Sequence, residues 1–171
     1  MNIDQSTINF DMYEDGSEYY GLAKVTLPDI TFLTQTISGA GIAGNLEIAV
    51  TGMLEAMTLS IDFRTITDHA VKLLEPRTHN IDLRAAVQEE DTVAGTIDVR
   101  AIKHVMIIMP KSLKGGQLAP ASTADASGEY ACRYWAMFRD GEKILELDPA
   151  NFICVINGVD YLAQVRKALG K

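Results

Sequence analysis

Apolar and polar residues alternate along most of the chain, and this period of two constrains the fold more than any other feature. The period of two is strict over residues 57–63 and 81–87, and core-type residues also recur at every second position over residues 130–139. Because successive side chains of a β-strand point to opposite faces of a sheet, the pattern predicts strands with one buried face. Asp140-Gly141 fits a type I′ turn, so residues 143–147 are predicted to return as the second strand of a hairpin. The sequence therefore predicts a mainly β, mostly antiparallel domain, closed as a barrel or a sandwich.

Only two short helices are predicted. Thr67 can cap a first helix that runs to about Leu74. A second helix is predicted between Asp160 and Gly170, with Arg166 near its C-terminal end, where the helix dipole favours cations. The predicted fold class is thus mainly β with one or two short helices.

Two long segments, residues 31–53 and 111–128, do not fit either period. The first is rich in Thr, Gly and Ala, and the second carries Gly115 and Gly116 and few large aliphatic side chains. Loops of this length are uncommon in compact domains and are usually functional or disordered. We therefore predict a single domain over residues 1–171, with both segments projecting as long loops that contacts between subunits would order.

The charge of the chain argues against a nucleic-acid-binding function. Its 171 residues include 15 Lys and Arg against 23 Asp and Glu, for a net charge of −8. Such a surface repels a phosphate backbone, so stable nucleic-acid binding is not expected, although a channel could let DNA pass. The acidic run Glu89-Glu90-Asp91 is predicted to be a solvated turn. Tyr19-Tyr20 has no basic patch beside it and is interpreted as core or interface.

No targeting or membrane segment is expected. The N-terminus has neither the basic nor the apolar region of a signal peptide. The longest apolar run is far too short to span a bilayer. We expect no membrane anchor and synthesis in a reducing cytoplasm.

No arrangement of residues points to catalysis, a cofactor or a metal. Gly39, Gly41 and Gly44 match the spacing G-x-G-x-x-G, but the flanking residues do not predict the strand–turn–helix unit of a dinucleotide site. The histidines and the two cysteines, Cys132 and Cys154, lack metal-ligand spacing, and both cysteines are predicted to be buried. We expect no enzymatic activity; a small-molecule-binding β-barrel is the ligand-binding alternative.

The order of motifs along the chain resembles one known family. In the C-terminal third, the hairpin at Asp140-Gly141 is followed by Asn157-Gly158-Val159-Asp160, a short helix and Leu169-Gly170. In the N-terminal half, Tyr13-Glu14-Asp15-Gly16 precedes residues 20–28 and then Gly39-Ala40-Gly41. Together these motifs are similar in order and spacing to the major tail tube protein of contractile-tailed phages and R-type bacteriocins. The resemblance covers nearly the whole chain and is weakest over residues 55–96.

The resemblance implies a structural subunit that forms hexameric rings, which stack into the hollow inner tube of a contractile tail. It implies a tail sheath protein, baseplate or tube-initiator proteins and a tape-measure protein as partners, and a bore that passes DNA or ions. The implied location is the tail of a virion or bacteriocin particle assembled in the bacterial host cytoplasm; a tube of a related secretion or injection system is the alternative. The residues expected at contacts between subunits are Ile37, Gly39, Gly41, Gly44, Gly115, Gly116, Asn157, Gly158, Asp160 and Arg166.

Overall fold

The computed structural model describes residues 1–18 and 21–171, so the predictions for Tyr19 and Tyr20 lie outside the described residues. Within these ranges the chain is built mainly from antiparallel strands with two short α-helices, which confirms the predicted fold class. The strands are β1 (Asn2–Glu14), β2 (Ser17–Glu18), β3 (Leu22–Thr26), β4 (Phe32–Ile37), β5 (Leu46–Leu54), β6 (Met57–Phe63), β7 (His79–Asp91), β8 (Thr96–Lys114), β9 (Ala126–Arg139), β10 (Glu142–Asp148), β11 (Ile153–Ile156) and β12 (Val159–Asp160). The helices are α1 (Asp68–Lys72) and α2 (Ala163–Ala168), and a 3₁₀ turn spans Pro149–Asn151.

The main sheet branches at β9. Its strand order is β12-β11-β10-β9-β8-β7-β1-β2. On the side away from β8, the first part of β9 pairs with β6, which in turn pairs with β3, while the last part pairs with β10. One strand therefore supports two divergent branches. Among the described residues no pairing joins β3 to β1, so hydrogen bonds do not close the sheet into a barrel.

The sheet is strongly curved. The Arg139 guanidinium on β9 donates hydrogen bonds to Asp4 on β1 at 2.9 and 3.2 Å, although β7 and β8 lie between these two strands. Strands are spaced about 4.8 Å apart in a sheet. A contact across two intervening strands therefore requires the sheet to bend toward the face that carries both side chains.

The hydrophobic core lies inside this curve and follows the alternation in the sequence. All four apolar residues of β6 are buried, and the residues between them are half-buried. Fully burying an aliphatic side chain of this size stabilises the fold by about 1.5–3 kcal/mol. The core also includes Met12, Leu73, Ile81, Leu83, Met106, Ile108, Tyr130, Trp135, Leu147, Cys154 and Leu162.

The predicted type I′ hairpin turn is confirmed. Asp140 and Gly141 have φ values of 49° and 84°, both in the left-handed region that this turn needs. Asn157-Gly158 adopts the same pair of conformations, with φ values of 50° and 79°, between β11 and β12.

The prediction of irregular loops over residues 31–53 and 111–128 is wrong in local structure. Most of the first segment forms the β4–β5 hairpin, a separate two-stranded sheet. In the second, β8 continues past Pro110 to Lys114, and β9 begins at Ala126. Pro110 is tolerated because the register shifts between Pro110 and Ser112, and a bulge accommodates the missing amide hydrogen.

Both helices form near their predicted positions. The Thr67 hydroxyl accepts a hydrogen bond from the amide of Ala70 at 3.3 Å, which confirms the predicted N-cap of α1. The second helix starts later than predicted, because Asp160 belongs to β12. At its end, the amide of Lys171 donates to the carbonyl of Arg166 at 2.9 Å, and Gly170 has a φ of 72°. These are the features of a Schellman cap.

Tyr130 provides a test of the core. Its side chain is fully buried, its hydroxyl has no hydrogen-bond partner among the described residues, and burial raises the pKa of the phenol to about 12. Because an unpaired buried hydroxyl is unfavourable, Tyr130→Phe should increase the free energy of unfolding by up to about 1 kcal/mol, measured by urea denaturation.

Tyr134→Phe is the matched control. The Tyr134 hydroxyl donates to Glu146 at 2.9 Å, so its removal should lower the free energy of unfolding by about 1 kcal/mol. A Tyr130→Phe protein that is less stable than the wild type would contradict the assignment of an unpaired hydroxyl.

Candidate assembly interface

The β4–β5 hairpin is the most exposed regular element of the fold. It forms its own sheet, and a hydrogen bond of 2.8 Å from the amide of Glu55 to the carbonyl of Thr31 closes its base. Apart from half-buried positions near this base, its residues are exposed along both strands. A two-stranded hairpin is at best marginally stable alone in water, so the exposed part gains from a further partner.

One face of the hairpin is apolar. Ile37 lies opposite Leu46, and Gln35 lies opposite Ile48. Alternation along each strand places Leu33 and Val50 on the same side. The five apolar members are between 38% and 50% exposed. This surface, the apolar hairpin face, consists of Leu33, Gln35, Ile37, Leu46, Ile48 and Val50.

The opposite face of the hairpin is largely polar. Thr34 lies opposite Ala49, and Thr36 lies opposite Glu47. The hairpin is therefore amphipathic although it covers no core of its own. Contiguous exposed apolar surface on a folded domain marks an interaction site.

The glycines predicted as interface residues in this segment lie in the connection between β4 and β5. Gly39, Gly41 and Gly44 have φ values of 149°, 93° and 127°, and a Cβ on any of them would meet no atom within 4 Å. Their role here is to allow the turn, not a close approach. Because a strand follows and not a helix, the spacing G-x-G-x-x-G does not form a dinucleotide site.

The second predicted loop is closed on itself at Gly116. Its φ is 72°, and a Cβ there would lie 1.9 Å from the carbonyl oxygen of Ala124. The amide of Gln117 donates to that oxygen at 2.8 Å. Gly116 therefore has an intrachain reason to be glycine, whereas a Cβ on Gly115 would meet no atom within 4 Å.

The C-terminal interface candidates also bind within the chain. The Arg166 guanidinium donates to Asp160 at 2.5 Å and to the carbonyl of Phe152 at 2.7 Å. The hydrogen bond from Arg166 lowers the pKa of Asp160, and Asp160 also accepts from the amide of Leu162 at 3.1 Å. Asn157 and Gly158 form the neighbouring turn. Contacts of these residues with another subunit stay a prediction.

The sequence analysis missed a buried ionic cluster beneath α1. Glu14 and His79 are fully buried, and Glu14 Oε1 lies 2.6 Å from His79 Nδ1. Lys72 and Arg77 lie 3.5 and 3.3 Å from the same carboxylate. The cluster ties α1 and the segment after it to β1 and β7. Glu14 and His79 are 65 positions apart, so no local pattern could have paired them.

A second buried carboxylate corrects the prediction of a solvated acidic turn. Glu89 is only 4% exposed and forms an ion pair with Arg100. Glu89 lies in β7, which runs through Asp91, and Arg100 lies in β8, so the turn falls later than predicted, between Asp91 and Thr96.

The described residues include few side chains that are placed for catalysis or metal binding. Among them no group of three or more His, Cys, Asp or Glu side chains is placed to hold a metal ion. Cys132 and Cys154 are buried, as predicted, and burial raises the pKa of both thiols, that of Cys132 to about 12. Such thiols are poor nucleophiles at neutral pH. His104 is buried beside Trp135, whose indole donates a hydrogen bond to His104 Nδ1 at 3.2 Å, and desolvation lowers the pKa of His104.

No helix in the described ranges is long and apolar enough to cross a membrane.

Comparison with known proteins gives consistent matches. The family model described as phage tail tube protein FII matches residues 4–170. The curated tail tube protein of Escherichia phage P2 is 26% identical over 163 residues, covering 93% of this chain and 93% of that protein.

Solved structures of an extracellular contractile injection system, PVC, also match. Its sheath/tube terminator in the extended state gives a TM-score of 0.54 at 11% identity, covering 77% of this chain and 94% of that chain. At this identity, the match shows a shared fold. A chain of the PVC sheath-tube complex in the extended state gives a TM-score of 0.49 at 14% identity, covering 75% and 87%.

The Asp160–Arg166 pair should make a pH-dependent contribution to stability. A carboxylate whose pKa is lowered by folding contributes stability above its unfolded pKa of about 3.9, and this is lost as the pH falls through the lowered value. Asp160→Asn should therefore lower the urea midpoint at pH 7, and its difference from the wild type should vanish in acid.

Asp29→Asn is the control, since Asp29 is exposed and forms no ion pair among the described residues. Equal urea midpoints for Asp160→Asn and the wild type at pH 7 would show that the pair does not stabilise the fold.

Proposed function

Because the chain belongs to the phage tail tube protein FII family, we propose that it forms hexameric rings that stack into the hollow inner tube of a contractile tail. Membership makes it a tail tube structural protein of contractile injection systems and not an enzyme. The hexameric rings, their stacking into a tube and the passage of DNA or ions through that tube are what we propose.

The apolar hairpin face is the observation that carries this proposal. It exposes five aliphatic side chains on an element that has one strand pair and no core. A second copy of the chain can bury this surface, and the hairpin can add its strands to a neighbouring sheet, with main-chain hydrogen bonds providing affinity. The expected role of Ile37 in subunit contacts fits its place on this face.

Open strand edges add a second argument for assembly. Among the described residues, β1 pairs with β7 along most of its length, but on its other side only Tyr13 and Glu14 pair, with β2. The outer edge of β3 is likewise unpaired within the described chain. Long unpaired edges promote uncontrolled association unless they are closed or deliberately paired. If the open edge of β1 in one copy pairs with the open edge of β3 in the next, the contact between copies is head-to-tail. Head-to-tail contacts that close by rotation give rings.

The remaining partners follow from the proposed tube. A contractile sheath would surround it, baseplate or tube-initiator proteins would start it, and a tape-measure protein would set its length. Sheath contraction would drive the tube through a bacterial envelope. We propose that surplus carboxylates, from a net charge of −8, line the bore, so that DNA passes without binding. The proposed location is the tail of a virion or bacteriocin particle assembled in the host cytoplasm.

Polymerisation is the direct test. Negative-stain electron microscopy over a concentration series should show stacked rings or hollow tubes of uniform diameter. In Leu46→Thr/Ile48→Thr, the threonines keep the strand propensity but remove apolar surface. Tube formation should need at least about tenfold more protein, since each loss weakens a contact by about 1 kcal/mol.

Thr34→Ser/Thr36→Ser, on the opposite face of the same hairpin, is the matched control and should polymerise like the wild type. Circular dichroism should show that all variants are folded. Dispersed small particles of the wild type at every concentration would refute the proposed function.

The turn of the hairpin gives a separate test. Deletion of residues 39–44 should leave a folded monomer, because a Cβ added to any of the three glycines in this turn would contact no other part of the protein. The same protein should not make tubes, because the end of the hairpin is lost. Tubes of normal appearance from this deletion would rule out a role for the turn in assembly.

A further inference from the structure

The hairpin meets the C-terminal part of the domain in a tight contact between Gly52 and Leu162. Gly52 lies in β5, within the irregular stretch between the pairs Phe32–Leu54 and Thr34–Ala49, and its φ is 68°. A Cβ on Gly52 would lie 2.5 Å from Leu162 Cδ2 and 2.6 Å from Leu162 Cγ. The Leu162 side chain therefore packs directly on the bare backbone of the hairpin.

Leu162 is itself held firmly. It is 3% exposed and belongs to the hydrophobic core. Its amide donates to Asp160, whose carboxylate is bound by Arg166, and Arg166 also donates to the carbonyl of Phe152. The side chain that contacts Gly52 thus belongs to a residue whose backbone is fixed by this hydrogen-bond network.

Phe32 and Leu54 pack against the core at the base of the hairpin, but a gap remains beside β11. A cavity of about 230 Å³ lies between the hairpin and β11, with Phe32, Val50 and Tyr161 among its lining residues. Space of this kind would let the hairpin tilt if nothing fixed its angle. Gly52 lines this cavity, so its contact with Leu162 lies at the cavity edge.

We propose that Leu162 is a positioning residue for the hairpin. Its side chain, packed on Gly52, sets the angle at which the hairpin leaves the domain and hence the direction of the apolar hairpin face. Asp160 and Arg166 then act on assembly through Leu162, by holding it in place. The consequence for tubes rests on the proposed function, but the angle itself is a property of the monomer.

The angle can be measured directly in the full-length chain under dilute conditions. Spin labels on Ala43→Cys, at the hairpin turn, and Glu142→Cys, on the domain body, report the distance between two exposed positions. Cys132 and Cys154 are buried and their thiols have raised pKa values, so the chain without added cysteines serves as the labelling blank. The wild-type background should give one narrow distance distribution.

Gly52→Ala should shift or split that distribution, because its methyl group cannot share space with Leu162. Gly95→Ala is the matched control: Gly95 has a φ of 66°, but a Cβ there would meet nothing within 4 Å. It carries the same backbone strain without the contact, so it should leave the distribution unchanged.

Leu162→Ala separates the contact from backbone strain. Alone, this substitution should broaden the distance distribution, because the Leu162 side chain no longer limits the tilt of the hairpin. Combined with Gly52→Ala, it should give the same broad distribution and not the shifted one, since the shift needs both the methyl group and the leucine.

Assembly gives the second readout. Gly52→Ala should raise the concentration needed for tubes by about tenfold or more, a change equivalent to about 1.4 kcal/mol, while Gly95→Ala should not. A wild-type distance distribution in Gly52→Ala, or a distribution in Leu162→Ala as narrow as in the wild type, would overturn the positioning role. Failure of the wild type to polymerise would refute the proposed function. The distance measurement would still decide whether Leu162 positions the hairpin.

Discussion

The β4–β5 hairpin has two strands and no layer beneath it, and this constraint governs the rest of the structure. A hairpin with one apolar face needs a surface to cover that face, and the exposed apolar hairpin face shows that the monomer does not provide one. The domain instead supplies a firm base: Phe32 and Leu54 pack against the core, and Leu162 supports Gly52. The monomer therefore presents the hairpin, and under the proposed function a neighbouring subunit would bury its apolar face.

A buried ionic cluster fixes another part of the domain, the position of α1 on β1 and β7. The carboxylate of Glu14 is removed from water, which is unfavourable unless ion pairs and hydrogen bonds compensate it. His79, Lys72 and Arg77 provide them from β7, α1 and the segment between. Such clusters add little net stability compared with apolar packing, but removing one member leaves an uncompensated charge. The arrangement therefore favours one position of α1 over others.

The sequence predicted what short-range patterns encode and missed what depends on long-range contacts. Alternation located β6, β7 and β9, and Asp-Gly located a turn, because strand faces and positive φ angles leave local marks. The β4–β5 hairpin was taken for a loop because its Gly- and Thr-rich composition hides a strand pair with one solvent-exposed apolar face. The continuation of β8 past Pro110 was not predicted, because a bulge cannot be read from one strand alone. Of the candidate interface residues, Ile37 was placed on the apolar hairpin face, whereas Gly116, Asp160 and Arg166 turned out to have intrachain contacts of their own.

Apolar surface and net charge have opposite effects on self-association of this chain. Their balance affects the conditions under which copies of the chain associate. The apolar hairpin face favours association in proportion to the area that it can bury. A net charge of −8 on each copy opposes association, more strongly at low ionic strength, where screening is weak. Under the proposed function, a subunit with both features would stay dispersed when dilute and would add to a tube end that already presents a complementary surface. The same carboxylates that slow free association would then, in a finished tube, repel a phosphate backbone from the wall. Under the proposed function, the surplus negative charge would therefore both limit free association and keep DNA from binding to the wall of the bore.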